Sequence, residues 1–352
     1  MADNYQDLAI RRQVLLERVK SGQYREFKKA LKEIEKLIRV GILSLDELET
    51  TSRYKVEKLI RTLKADQIAV FQGAMETYAL NLSTIAWVSM NQELLDLQNT
   101  IDLGNTKLKK FKKVDLYRKV LKRPLSVNGG LLDAFLKDFT DKEVKRINDT
   151  VRLAWSQGKT NAEAVRAIIG TKSGGYLDGI LQTTRRNAET IVRTSVQHVA
   201  SSARMEIWQN NPDVVRRYKW LSTLDRVTSN KCKSLDGLEF EFGKGPVPPI
   251  HPNCRSTTVP VTNPKYDFLD EGATRSAEFG PVDAKLDYYD WLKKQKPDVI
   301  EEALGKKRAK LFTDGGMSAE KFRKLQFDKN FDPLTLDEMK SIVPAAFKKA
   351  GL

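Results

Sequence analysis

Cysteine and histidine are scarce in this chain of 352 residues, which has two of each. Two cysteines are too few for the disulfide framework of a secreted protein, so the fold must be stabilised by packing. Cys232, His251 and Cys254 nevertheless fall within residues 221–261. Any metal or thiol chemistry is therefore expected in that stretch.

Long apolar runs are missing as well. No run approaches the roughly 20 residues that a membrane-spanning helix needs. The first residues, MADNYQDL, lack the charged-then-apolar order of a signal peptide. We expect a protein that is made in a cytoplasm and stays there, with no stable membrane insertion.

Acidic residues are outnumbered, with 46 Asp and Glu against 61 Lys and Arg, which gives a net charge of +15. This excess indicates an anionic partner, most simply nucleic acid and otherwise an acidic protein surface, although it could also serve solubility alone. At 40% hydrophobic residues the chain can bury a substantial core, in two or three domains.

Helical spacing of apolar residues dominates the N-terminal part of the chain. It predicts two helices from Ala2 to about Gly41, broken near Ser21–Gly22, and a third helix that starts at the capping box Ser44–Glu47. Residues 65–103 hold no proline and predict one long, heavily buried helix or a broken pair.

The same spacing continues beyond residue 130. A capping box at Thr160–Glu163 predicts a short helix that ends at Gly170, and residues 181–209 predict a long one. Further helices are expected in the tail, over residues 284–294, 299–304, 305–312, 318–325 and 335–350.

Residues 221–261 with their lead-in do not read as helix. YKWLS at 218–222, the alternating EFEF at 239–242 and TTVPV at 257–261 indicate strands, separated by the LDG turn and a proline-rich loop. The predicted fold class is mainly α, multi-domain, with a small irregular α+β module around residues 215–265.

A basic run precedes the predicted domain boundary, at Pro124 and the glycines that follow it. If the run is helical, its apolar residues lie on one side and its cations cover the rest. Such a surface suits non-specific binding to the phosphates of double-stranded DNA. The alternative is a helix face that is only solvated. Its candidate DNA-binding residues are Lys107, Lys109, Lys110, Lys112, Lys113, Arg118, Lys119, Lys122 and Arg123.

Several motifs in the last two hundred residues occur in an order that resembles the phage Mu F-like head morphogenesis family of minor capsid proteins. They are Ile191–Arg204, Asp225, Cys232, the LDG turn at Leu235–Gly237, HPNCRST at His251–Thr257, Tyr288–Gln295 and Leu304–Gly316. We therefore divide the chain into an N-terminal helical domain (1–124), a Mu F-like domain (125–264) and a helical tail (265–352).

The resemblance implies a minor head protein of a tailed phage, assembled in the host cytoplasm and located inside the capsid of the virion near the portal. Its implied roles are head assembly, genome packaging or DNA delivery, with the portal protein and other head proteins as partners. An internal protein ejected with the DNA is one alternative, and a zinc-dependent hydrolase is another.

Cys232, His251 and Cys254 are the candidate metal ligands, because thiolate and imidazole are donors that zinc prefers. Many relatives have a further cysteine where this chain has Ser229. Three alternatives stay open: zinc completed by Asp225 or Asp236, a three-ligand zinc that carries water, and no metal.

Without a metal, prolines that include Pro252 and a bond from Asp225 to Arg255 or to loop amides would hold the loop. The structural motif comprises Asp225, Asp236, Gly237, Pro252 and Arg255.

No active site is recognised elsewhere in the sequence. Gly158-Lys159-Thr160 lacks the earlier glycine and the preceding strand of a phosphate-binding loop. His198 has only hydroxyls a turn away, which favours a hydrogen-bonded structural histidine. We expect no catalytic residue, no cofactor other than a possible zinc ion, and no small-molecule substrate; residues 221–261 are expected to serve mainly as structure.

Overall fold

The computed structural model describes residues 5–266, 274–328 and 331–352. Ala2, where the first helix was expected to start, lies outside these ranges, as does part of the tail. The helices are α1 (Tyr5–Leu43), α2 (Arg53–Thr100), α3 (Lys113–Lys122), α4 (Leu132–Ser156), α5 (Asn161–Ile169), α6 (Ile180–Asn210), α7 (Asn230–Leu235), α8 (Tyr288–Leu292), α9 (Pro297–Leu304), α10 (Lys306–Asp314), α11 (Ala319–Lys324), α12 (Leu336–Ile342) and α13 (Pro344–Lys349). The strands are β1 (Val215–Leu221), β2 (Glu239–Phe240), β3 (Thr257–Thr262), β4 (Thr274–Ala277) and β5 (Gly280–Asp283).

The first helix is continuous, so the predicted break at Ser21–Gly22 was wrong. The Ser21 hydroxyl donates to the Glu17 carbonyl at 3.1 Å, within the helix. A glycine inside a helix costs about 1 kcal/mol relative to alanine. Because α1 packs against both α2 and α6, tertiary contacts outweigh that local cost.

The prediction that a helix starts at the capping box Ser44–Glu47 was wrong, because Ser44 follows the end of α1. Its hydroxyl donates to the Gly41 carbonyl at 2.7 Å, and the Ser52 hydroxyl caps the next helix by accepting from the Lys55 amide. Between them Leu48 is fully buried, and its amide donates to the Asn161 side chain at 2.9 Å. Anchoring this turn on α5 prevents a helix from continuing through it.

The second helix is a single helix of 48 residues, which confirms the unbroken alternative for residues 65–103. It runs through Gly73 without interruption. Phe27 of α1, Phe71 and Tyr78 of α2, and Phe139 of α4 pack with ring centroids 5.8–6.3 Å apart. These aromatic contacts fill the centre of the helical core.

A buried charged cluster fixes the start of α1 on α2 and α6. Glu93 and Asp96 of α2 are 0% and 2% exposed. Arg12 approaches Glu93 at 2.7 Å and Asp96 at 2.8 Å, and Trp208 of α6 donates to Glu93 at 2.6 Å. Tyr5 donates to the same Glu93 carboxylate. Each buried charge therefore has an oppositely charged or hydrogen-bonding partner.

One core extends across the predicted boundary near Pro124. Leu125 is fully buried, and α4, α5 and α6 share a hydrophobic cluster with α1, α2 and α3. Residues 288–350 form a second cluster around Trp291, Phe312 and Phe322. The division into 1–124, 125–264 and 265–352 stays a prediction.

The predicted strands form a three-stranded antiparallel sheet in the order β2-β1-β3. This sheet and the long helices confirm the fold class, mainly α with a small α+β module. The sequence analysis missed helix α7, which lies inside the module, and the hairpin that β4 and β5 form in the tail before residue 284. Of the helix predicted over residues 284–294, only α8 (Tyr288–Leu292) is present. Within the described residues, no helix is both long and apolar enough to cross a membrane.

The later helices match their predictions closely. Helix α5 starts at the Thr160–Glu163 capping box and ends at Gly170, and α6 covers the predicted 181–209. In the tail, Thr335 and Glu338 form the expected capping box, but Pro344 divides the predicted helix 335–350 into α12 and α13. Proline at the first position of α13 starts a new helix because it cannot donate to the preceding turn.

His198 is buried in α6, in agreement with the structural role predicted for it. Its side chain is beside the backbone of Val120 and Arg123, and burial together with the Arg123 charge lowers its pKa from 6.5 to about 4. The folded protein therefore holds a neutral imidazole at pH 7.

We expect His198 to make folding sensitive to acid. Because its folded pKa is lowered, the unfolded chain binds the proton more tightly, so stability is lost as the pH falls from about 6.5 towards 4. Between pH 7.5 and 5 the unmodified protein should lose about 2 kcal/mol more than a His198→Gln variant in urea unfolding. Parallel pH profiles for the two proteins would contradict this assignment.

Candidate functional site

Three donor side chains converge at the edge of the small sheet. The Cys232 sulfur lies 3.2 Å from His251 Nε2 and 3.8 Å from the Cys254 sulfur. All three donor atoms lie within 4.8 Å of one another. The two cysteines are free thiols and buried, whereas His251 is half-buried. The predicted ligand set is thus brought together in space.

Two short elements position these donors. Helix α7 carries Cys232 in its first turn, and the HPNC turn carries His251 and Cys254. Pro252 limits the backbone of that turn, Asn253 adopts a left-handed φ of 59°, and the Cys254 amide donates to the His251 carbonyl at 3.2 Å. A tight turn therefore points an imidazole and a thiol towards the same helix.

Ser229 stands where a fourth donor would be needed. As the N-cap of α7, its hydroxyl accepts from the Cys232 amide at 3.3 Å. The same oxygen lies 2.8 Å from His251 Nε2. Ser229 is therefore directed at the cluster and also caps the helix.

The donor set fits a zinc ion in type and spacing. Two thiolates bound tetrahedrally at about 2.3 Å would be about 3.8 Å apart, which is the separation of the two sulfurs. Hydrogen bonding between the sulfurs raises the pKa of Cys232 and lowers that of Cys254, so one thiolate is favoured. Contact with Cys254 in turn raises the pKa of His251.

Asp225 is engaged away from the donor cluster. Arg255 donates to both of its carboxylate oxygens, at 2.6 and 3.0 Å, and Thr228 donates to it at 2.9 Å. Tyr288 also donates to the Asp225 carbonyl at 2.7 Å. This is the Asp225–Arg255 pairing considered from the sequence, and it leaves Asp225 committed to an ion pair.

Asp236 is committed as well, through a fully buried ion pair with Arg275. Arg275 donates at 3.0 Å to each carboxylate oxygen, and the Ser222 amide donates to Asp236 at 2.6 Å. Gly237 follows with φ of 79°, a left-handed conformation that favours glycine, and its amide donates to the Trp220 carbonyl. The structural motif therefore joins β1 to the β4–β5 hairpin.

Arg275 is the main residue that sequence analysis missed. It is 1% exposed, and it also donates to the Ser222 and Leu286 carbonyls at 2.5 and 3.1 Å. Gly280-Pro281, within TRSAEFGPVD, was the available turn signal for a hairpin. No local pattern indicates that an arginine in such a hairpin is buried.

A buried lysine attaches the tail to the module. Lys233 of α7 is 2% exposed, and its ammonium donates to the Ala303 carbonyl near the end of α9 at 2.5 Å. It also lies 5.4 Å from the centre of the Tyr288 ring. Burial lowers the pKa of Lys233 to about 8. The Lys233 ammonium thus donates to one of the last carbonyls of α9, which have no amide partner within the helix.

A polar network attaches the module to the long helices. Gln197 of α6 donates to the Ser256 carbonyl at 3.1 Å and accepts from the fully buried Lys20 of α1 at 2.6 Å. Arg204 donates to the Thr257 hydroxyl at 2.7 Å and to the Thr258 carbonyl at 3.2 Å. Strand β3 is therefore fixed on α6 by side chains that no sequence pattern singles out.

The predicted basic run divides into two parts. Residues 107–112 are not helical, and α3 covers 113–122, so the helical arrangement considered for the run holds only for its second part. The Asn211 side chain accepts from the Lys109 amide at 2.7 Å and donates to the Lys109 carbonyl at 3.0 Å. This amide pair replaces the hydrogen bonds that a helix would have made.

The nine cations differ in their surroundings. Arg123 and Lys119 pair with Glu206 at 2.6 and 3.4 Å, and Arg118 pairs with Asp115 at 3.1 Å. Lys113 donates to the Thr84 hydroxyl at 3.0 Å. Exposed side chains are presented by Lys107, Lys109, Lys110, Lys112 and Lys122.

Comparison with known proteins gives one family match. Residues 145–259 match the family described as Phage Mu protein F like protein. The matched segment contains α5, α6, β1, α7, β2, the start of β3 and the three clustered donors. No curated protein and no solved structure matches the chain.

Removing Arg275 should destabilise the fold, because it leaves the Asp236 carboxylate buried without its cation. We expect Arg275→Met to lower the free energy of unfolding by about 3–5 kcal/mol, measured by denaturant titration. The double variant with Asp236→Asn should lose less than Arg275→Met alone. As a control, Lys324→Met breaks the exposed pair with Glu320 and should leave the stability nearly unchanged. Equal losses for Arg275→Met and Lys324→Met would contradict a stabilising role for the buried pair.

Proposed function

We propose, from the match of residues 145–259 to the phage Mu F-like family, that the protein is a minor head protein of a tailed bacteriophage. In this proposal it is located inside the capsid near the portal and acts in head assembly, genome packaging or DNA delivery. Its partners would be the portal protein, other head proteins and double-stranded DNA. The family match is the observation that carries the proposal.

The basic segment 107–112 supports the DNA part of the proposal. Its four lysines are exposed, and Asn211 fixes the backbone between them. A row of exposed ammonium groups can contact phosphates and reads no base sequence. The net charge of +15 adds a long-range attraction to DNA.

Neutralising this row should weaken binding to duplex DNA. For Lys107, Lys109, Lys110 and Lys112, each changed to Gln, we expect the slope of log affinity against log salt to fall by about 0.9 per lost phosphate contact. Fluorescence anisotropy with an arbitrary duplex at several salt concentrations measures this slope.

A matched control keeps the same change of net charge. Lys29, Lys142, Lys145 and Lys324 have side chains that are 67–77% exposed, and each pairs with a neighbouring carboxylate on a helix surface. Changing these four to Gln should leave most of the affinity intact. If both quadruple variants lose affinity equally, binding depends on total charge and the row has no specific role.

We also propose a structural zinc ion at Cys232, His251 and Cys254, because the two sulfurs already have tetrahedral spacing. The surroundings favour a structural over a hydrolytic ion: the thiols are 2% and 1% exposed, and the Ser229 hydroxyl, 2.8 Å from His251 Nε2, occupies space that a reactive water would need. Bound zinc would cross-link α7 to the HPNC turn. With Asp225 and Asp236 in ion pairs, we propose no enzymatic activity for this site.

Elemental analysis of the purified full chain should find about one zinc ion per molecule. Cys254→Ser should abolish it, and Ser229→Cys should bind zinc more tightly in competition with a chelator, because a fourth thiolate closes the tetrahedron. Thermal unfolding with and without chelator gives an independent measure. Zinc well below one ion per chain, in both the natural sequence and Ser229→Cys, would rule out the site.

A further inference from the structure

The outer face of α2 carries almost no charge, although 30% of the residues in the chain are charged. Between Glu76 and Thr100 the only charged residues are Glu93 and Asp96, and both are buried. Leu80, Val88 and Leu95 are exposed there, by 71%, 58% and 50%. Depletion of charge around exposed apolar side chains distinguishes protein interfaces from the rest of a surface.

A groove lies between this face and α1. We call it the α1–α2 groove; it encloses about 460 Å³, and its apolar lining comprises Leu8, Leu15, Leu16, Val19, Ile85 and Val88. Leu15 and Val19 are 55% and 38% exposed, so α1 adds its own apolar ridge to that of α2. Two long helices that present apolar ridges on either side of a groove match the way in which a third helix docks.

The rim of the α1–α2 groove is basic on both sides. Arg11 lines the α1 side, and Arg18 lies two helical turns further along the same side of that helix. On the α2 side, Lys113 reaches over to the Thr84 hydroxyl. Among the described residues that line the groove, the single carboxylate is Asp96, which is buried and paired with Arg12.

From this combination we propose that the α1–α2 groove binds an amphipathic helix of a different protein, whose apolar stripe is flanked by carboxylates. Carboxylates would face Arg18 and Lys113, and the apolar stripe would cover Val88 and Leu15. A second copy of this chain fits less well, because it would place one basic rim against another. Helix binding in the groove requires neither DNA binding nor zinc.

The test uses the full chain and designed helical peptides as probes. An acidic peptide of about 20 residues carries leucines at i, i+3, i+4 and i+7 flanked by glutamates. A second peptide has lysines in place of the glutamates, and a third has the acidic composition scrambled. Anisotropy at physiological salt should show binding of the acidic amphipathic peptide at least tenfold tighter than of either control.

Variants then locate the binding surface. Val88→Asp and Leu15→Asp should each weaken binding of the acidic peptide tenfold or more, and Arg18→Glu with Lys113→Glu should weaken it while improving binding of the lysine peptide. Because Leu15 and Val88 are exposed, these changes should leave thermal stability unchanged. Leu153→Asp on α4, at a site 54% exposed, is the matched control and should bind normally.

The remaining outcomes overturn the proposal. No binding of the acidic peptide, or equal binding of all three peptides, excludes a charge-complementary helix site. Self-association that Val88→Asp abolishes would assign the groove to a second copy of this chain. Binding to anionic lipid vesicles that Val88→Asp abolishes, without binding of the peptide, would assign it to a membrane surface.

Discussion

The packing of α1 against α2 and α6 depends on a few buried charges. The Glu93 carboxylate accepts hydrogen bonds from Arg12, Tyr5 and Trp208. A buried carboxylate is tolerated only when such donors surround it. Once α1 is held there, Lys20 donates to Gln197, and Gln197 in turn donates to Ser256, the residue before strand β3. The position of the small sheet relative to the helices thus follows from contacts that begin at one glutamate.

The module is held in a comparable way on its other side. Asp236 and Arg275 join the sheet to the hairpin, and Lys233 joins it to the end of α9. Buried ion pairs contribute less net stability than apolar packing of similar size, but they require one geometry. The cluster of two thiols and one imidazole lies between these attachments, which explains how two short elements, α7 and the HPNC turn, keep their side chains together.

Much of the helical architecture could be predicted because apolar spacing and capping boxes are local signals. Thr160 and Thr335 start helices as expected, since the capping hydroxyl and the carboxylate three residues later satisfy amides of the same turn. Ser44 carries the same local signal and ends a helix instead, because Leu48 and Asn161 anchor the following turn over a distance of 113 residues.

In the small module, the three metal-type donors could be grouped from the sequence because they share one short stretch. The pair of Asp225 with Arg255 was among the alternatives considered from the sequence, but no local pattern could show that Asp236 pairs with Arg275, 39 residues away.

The unbroken length of α2 has a mechanical consequence. At 1.5 Å per residue, 48 residues form a rod about 70 Å long. A continuous helix stiffened along its length by α1, α4 and α6 resists bending, so it can act as a strut between components that touch its two ends. Such a strut would set a fixed spacing between the parts that contact its two ends, whereas a flexible linker would only tether them.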